Sequence, residues 1–236
     1  GKNAIGVLLG NGWYNHQSIA VWDFHHAPWR NRPAFCMDLH IMYADGTKDI
    51  ICTDRDWRTR EGGLLFNSIY TGEHYDAQAE LDGWNLPGYD DSTWRESSYR
   101  SVPSTCLTAQ QLHPIRSVET YVARRMTSLS DSVYVFDFGQ NMSGVTSLKV
   151  TGEKGTVIRL KHGERLYSNG RVNTSNIDVY HRPVDDSDPF QTDIITLKGQ
   201  GEEEFMPKFN YKGFRYVEVI SSHPIKLNGR SLTAYF

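Results

Sequence analysis

VYVFDFGQNMSGVTSLKV, Val133 to Val150, decides how the rest of the chain is read. Through Phe138 the residues alternate. Val133, Val135 and Asp137 fall on one face and Tyr134, Phe136 and Phe138 on the other, the period-two pattern of a β-strand. Gly139 to Gly144 then breaks the alternation with two glycines, which take positive φ cheaply because they lack a Cβ. Val145 to Val150 resumes it. The stretch therefore predicts a strand, a tight polar corner and a second strand. Asp137, Gln140 and Asn141 crowd that corner, and polar groups buried there need hydrogen-bond partners, so they are expected to brace it in preference to touching a ligand.

Composition sets the frame around this stretch. The 236 residues are 39% hydrophobic, enough for two ordinary cores of roughly 115–120 residues each. The division is expected between residues 1–115 and 116–236, since Pro114 bars a continuous central strand there. The net charge is −3 with a pI near 6.3, and 25 basic residues are scattered among 28 acidic ones. No basic stripe exists for nucleic acid. No apolar run approaches the ~20 residues of a membrane span. Three cysteines, Cys36, Cys52 and Cys106, form neither a zinc pattern nor a disulfide framework, and buried thiols are the expectation for the first two. The start, Gly1 to Gly10, has the character of a domain interior and not of a leader, so the compartment, cytoplasmic or periplasmic, is not legible. Helical periodicity is scarce, and the fold class expected is all-β: two antiparallel sandwiches of jelly-roll type.

Along the first half, Ala4 to Leu9 predicts a strand that Asn11, Trp13, Tyr14 and Asn15 end in a polar aromatic corner. Trp13 and Tyr14 there are candidates for stacking on a sugar, with the Asn11 amide to pair with hydroxyls; packing of the tryptophan on its own strands is the competing use. Vicinal His25 and His26 lack a third ligand at useful spacing, so no metal is expected. Ala34 to Tyr43 and Lys48 to Thr53 predict a hairpin turned by Asp45-Gly46. Asn67, Tyr70, Glu73 and Asp76 make a second polar cluster, and with Asn11, Trp13 and Tyr14 they are the candidates for a shallow carbohydrate-binding pocket. Glu73 and Asp76, three residues apart on one irregular strand, are poorly placed to flank a glycosidic bond, so hydrogen bonding at a loop or module interface is the better expectation. Asp90 and Asp91 offer a low-grade calcium site, against which an Asx turn is the simpler account; no other cofactor is expected. From Glu164 to Ile194 the chain leaves the strand rhythm for a long acidic excursion, of a length that is usually functional or disordered.

The opening stretch also carries a resemblance. FDFGQNMSG, then KHGERLYSNGRVNT (Lys161 to Thr174) and EEEFMPKFNYKGFRYVEV (Glu202 to Val219), resemble the β-sandwich modules that precede the catalytic barrel in bacterial α-L-rhamnosidases, glycoside hydrolase family 78. LLGNGWYN, YADGTKDIICTDRDWR, FNSIYTGEHYDAQ and HPIR are similar to the amino-terminal module of the same enzymes, in the same order, with its first strands missing. The resemblance implies an inverting hydrolysis that releases terminal L-rhamnose, run by two glutamates in an all-helical barrel for which this chain has no helical segments. It implies that Asp193, beside Thr192, leans toward that barrel, which with a rhamnose-bearing glycan is the expected partner. It implies no catalytic residue and no turnover by this chain alone. Two other classes stay open: a freestanding carbohydrate-binding module, and a structural adhesion domain.

Overall fold

The computed structural model describes residues 2–20, 22–181 and 187–236, with Tyr180 described by its backbone alone; Val184 to Asp186 of the acidic excursion lie outside the described residues. In the first half the strands are β1 (Asp38–Met42), β2 (Lys48–Cys52), β3 (Arg58–Thr59), β4 (Leu64–Asn67), β5 (Glu73–Asp76) and β6 (Arg95–Glu96). The second half holds β7 (Thr120–Val122), β8 (Arg125–Ser128), β9 (Val133–Thr151), β10 (Val157–Gly163), β11 (Arg165–Leu166), β12 (Val172–Asn173), β13 (Thr192–Thr196), β14 (Glu202–Phe205), β15 (Lys212–Ser221) and β16 (Leu232–Tyr235). Among the described residues the helical content is three single 3-10 turns, at Phe24–His26, Ala77–Ala79 and Asp178–Tyr180. The chain is all-β, as expected.

The stretch quoted first is one strand of 19 residues, β9, and not two. Its polar corner is absorbed as a bulge: the five steps from Asp137 to Met142 stand opposite only two on β15, from Phe214 to Tyr216. Gly139 makes this possible. It sits at φ +80, and a Cβ there would lie 2.3 Å from Arg124 Cδ. The bulge bends the strand and leaves its ladder running on, which is how bulges act in antiparallel pairs. Before the bend β9 pairs with β8 and β15; after it, with β15 as far as Gly144 and then with β16 and β14.

All buried residues of the hydrophobic core come from the second half, Tyr134 to Ala234, with Phe136, Phe138, Leu148, Ile158, Leu160, Phe214 and Leu232 among those sealed from solvent. The first half is thinner. β1 and β2 form the Asp45-Gly46 hairpin, with Gly46 at φ +86 and Tyr43 N donating to Thr47 O at 3.0 Å. Both remain in a two-stranded sheet, as do β3 and β6. Ala4 to Leu9, expected as a strand, is irregular, and Ile5, Leu8 and Leu9 stay 42–46% exposed. An apolar run becomes a strand only where a neighbour accepts its ladder, and among the described strands none pairs with it. Cys36 and Cys52, expected buried, are exposed for the same reason, lying on or beside that open hairpin.

One hairpin of the first half is not independent. β5 runs parallel to β13, with His74 opposite Ile194, Tyr75 opposite Ile195 and Asp76 opposite Thr196. The sheet thus runs β4-β5-β13-β10-β15-β9-β16-β7 across both halves. Gly72 permits the approach, since a Cβ there would meet Thr192 O at 2.3 Å.

Candidate functional site

The candidate residues fall in three places, two of them on either strand at the turn end of the β4–β5 hairpin, where Asn67 stands opposite Glu73. On the β4 strand Asn67 Oδ1 accepts the Asn11 backbone N–H at 2.7 Å, and the Asn11 side chain donates to Asn67 O at 2.9 Å. Asn15 donates to the remaining oxygen of the Asn11 amide at 2.7 Å. The two asparagines therefore clasp each other. Tyr14 is half-buried and its carbonyl takes the Asn31 N–H.

Trp13 is 49% exposed, and its ring meets Tyr70 and Phe24 edge-on at 5.6 and 5.5 Å. Under it lies His16, fully buried and stacked at 5.6 Å, with neither ring nitrogen hydrogen-bonded. Burial holds the His16 pKa below its ordinary value. Behind it, Ser18 Oγ donates to Asp188 Oδ2 at 2.7 Å and contacts the Ser68 and Thr71 hydroxyls, tying the end of the acidic excursion to the first half.

Across the same turn, on the β5 strand, is a seam of buried charge. Asp193 is fully buried, and Lys212 Nζ reaches its two oxygens at 2.7 and 2.9 Å. Asp193 Oδ1 also accepts the Glu73 backbone N–H at 2.8 Å, and Asn210 lies beside Lys212. Glu73 is 2% exposed, and its Oε1 accepts the backbone N–H groups of Lys208 and Phe209. Burial pushes its pKa up and outweighs those two donors. Asp76 caps the Ala77–Ala79 turn through Gln78 N.

A cavity of about 250 Å³ opens beside this seam, lined by Leu8, Tyr75, Leu148, Ile195, Phe205 and Met206. Two of the acids along it are tied down: Glu80 to Lys198 at 2.8 Å and to the Tyr75 hydroxyl, Glu203 to the Lys198 and Gly199 N–H groups. Such acids hold the fold and are not poised for proton transfer.

The third place is the bulge of β9. Asp137 takes a bidentate pair from Arg215 at 2.9 and 3.0 Å and accepts Gly139 N at 2.7 Å, and the Arg215 bonds, with Gly139 N, hold its carboxyl below the usual range. Gln140 is exposed beside the Tyr121 hydroxyl. Asn141 is exposed and donates to Glu164 Oε1 at 3.0 Å.

Sequence reasoning missed several of these groups. Lys212, His162 and Glu218, all buried, lie in strands whose alternation looks ordinary, and His16 follows a loop tryptophan. Burial of a charge inside a joint leaves no periodic mark. Among the described residues no three metal-ligating side chains converge, and Asp90 makes an Asx turn to Ser92 N at 3.0 Å.

The family described as the Alpha-L-rhamnosidase N-terminal domain matches residues 1–119, and the Bacterial alpha-L-rhamnosidase concanavalin-like domain matches residues 127–236. The α-L-rhamnosidase of Streptomyces avermitilis is 37% identical over 235 residues, 99% of this chain and 22% of its own. One from Formosa agariphila is 32% identical over 239 residues, 95% of this chain and 24% of its own. The crystal structure of the S. avermitilis enzyme complexed with L-rhamnose superposes with a TM-score of 0.82 at 36% identity, covering 95% of this chain and 21% of that one. That of the Aspergillus terreus enzyme gives 0.81 at 30% identity, covering 96% and 25%. The chain thus spans about a fifth of the length of the relatives it matches. On the order and extent of these two domains, it belongs to the α-L-rhamnosidase family.

Proposed function

We propose that this chain is the non-catalytic β-sandwich portion, divided near residue 115, of an α-L-rhamnosidase that releases terminal L-rhamnose by inversion. It supports a helical catalytic barrel of the same parent polypeptide. The observation that carries this reading is the coverage: nearly the whole chain aligns, yet with only 22% of the S. avermitilis enzyme. The geometry agrees with it. An inverting pair of carboxyls stands roughly 6.5–9.5 Å apart across a bond, whereas Glu73 and Asp76 share one short strand and Glu73 is occupied by two backbone donors. Hydrolysis of an aryl α-L-rhamnoside tests it. The parent polypeptide is expected to turn over and this chain to give none; rhamnose release by the chain would refute the assignment.

Sugar binding at Trp13, Tyr14 and Tyr70 is the second reading, favoured by the half-exposed Trp13 ring. The mutual clasp of Asn11 and Asn67 removes the amides such a site would use. Calorimetric titration with L-rhamnose, with and without a chelator, separates the two: heat at millimolar sugar supports binding, and its absence leaves support alone.

A further inference from the structure

Around Trp13 the first half carries a cluster of aromatic rings that its own core does not cover. Trp13 and Trp29 are 49% and 56% exposed, and Trp22 is 57% exposed. Phe24 links them, edge-on to Trp13 at 5.5 Å and tilted against Trp29 at 6.1 Å, and Tyr70 closes the group. Asp23, one of the non-glycine residues at positive φ, holds a left-handed conformation at φ 52 and begins the 3-10 turn that carries Phe24. Contiguous apolar patches on a surface mark interaction sites, and Trp, Tyr and Arg are the residues that dominate binding energy there. The segment that carries the rings exposes His26, Arg30 and Arg32 beside one acid, Asp23.

We propose that this aromatic face is where the remaining part of the parent polypeptide docks, through a surface with an aliphatic centre and carboxylates at its edge. The inference rests on the function proposed above and names the surface that function uses. Two observations choose the occupant. Relatives that match the chain nearly end to end carry about four-fifths of their length outside the matched region, so a large partner in the same polypeptide is the nearest candidate. Trp13 meets Phe24 and Tyr70 at 88° and Trp29 meets Phe24 at 51°, while Trp22 lies within 24° of Phe24 and Tyr70; the steep pairs make a ridged surface suited to interdigitating side chains. Arg30 and Arg32 outnumber Asp23 on this segment, which favours acidic neighbours.

Hydroxyl-radical footprinting read by mass spectrometry tests this on the isolated chain and on the full parent polypeptide, with Trp57 and Trp94, outside the cluster, as internal references. Trp13 and Trp29 are expected to oxidise about tenfold more slowly in the parent, because a docked interface excludes water from its centre. Trp29→Asp is expected to leave the melting temperature of the isolated chain unchanged and to lower that of the parent. Equal oxidation rates in a parent with rhamnosidase activity would overturn this inference alone. Protection of the isolated chain that grows with its concentration assigns the face to a second copy, and protection by L-rhamnose assigns it to sugar; each overturns the inference. A parent without rhamnosidase activity removes the functional reading and this inference with it.

Discussion

Lys212 and Asp193 show most clearly how single residues hold this molecule. Both are buried, at 4% and 0% exposure, and they sit where the first half meets the second. Removing one partner of such a pair strands a charge in a low dielectric. Lys212→Met is therefore expected to lose about 3–5 kcal/mol in urea unfolding, and Lys212→Met with Asp193→Leu much less. A double-mutant cycle showing no coupling would contradict this. His162 lies close by, fully enclosed, bonded to Thr146 Oγ1 and to the Leu160 and Gln191 carbonyls. Burial, helped by the Lys212 charge, lowers its pKa to about 4. A depressed folded-state value means that neutral His162 favours the fold above its unfolded value of about 6.5, and that this contribution is lost as pH falls toward about 4. Over that window wild type should lose up to about 1.4 kcal/mol per pH unit relative to His162→Gln, measured by unfolding at pH 7 and pH 4.5. At this scale legibility was uneven. Asp137 stands at a polar knot that two glycines mark in the sequence, whereas Lys212 stands in the alternating strand KGFRYVEV, where a lysine ordinarily points to water.

Among the elements, β9 carries the architecture, and its bend depends on Gly139. Any Cβ there meets both a left-handed φ and Arg124. Gly139→Ala is expected to cost about 1–2 kcal/mol and to weaken the Asp137–Arg215 pair, seen as faster hydrogen exchange at Arg215 and Tyr216. Unchanged exchange would mean that the bulge is held by other contacts. The sequence announced this element and mistook its form. Six consecutive residues without alternation look like the end of a strand, yet β15 supplies partners on either side, so the extra residues are looped out and pairing resumes. The β1–β2 hairpin was legible because Asp45-Gly46 is a local signal. Ala4 to Leu9 was not, since whether an apolar run becomes a strand depends on a neighbour elsewhere in the chain.

For the molecule as a whole, the unequal division of the core matters most. The buried hydrophobic cluster belongs to residues 134–234, while the first half contributes the flanking Tyr75. Residues 120–236 alone are expected to give dispersed amide spectra, and residues 2–119 alone the narrow dispersion of an unfolded chain. A well-dispersed spectrum from the first half would show that it holds a core of its own. The all-β class and the order of the two halves were readable from strand periodicity and from motifs in sequence. The parallel pairing of β5 with β13 was not, because it joins residues some 120 positions apart with no local cue. That pairing has an evolutionary corollary. A recombination event that carried off the second half without the first would leave the Thr192–Thr196 rim bare, a row of free peptide groups inviting stray strands to adhere. The two halves are thus bound to be inherited together, and shuffling in this lineage should place its breakpoints outside the pair.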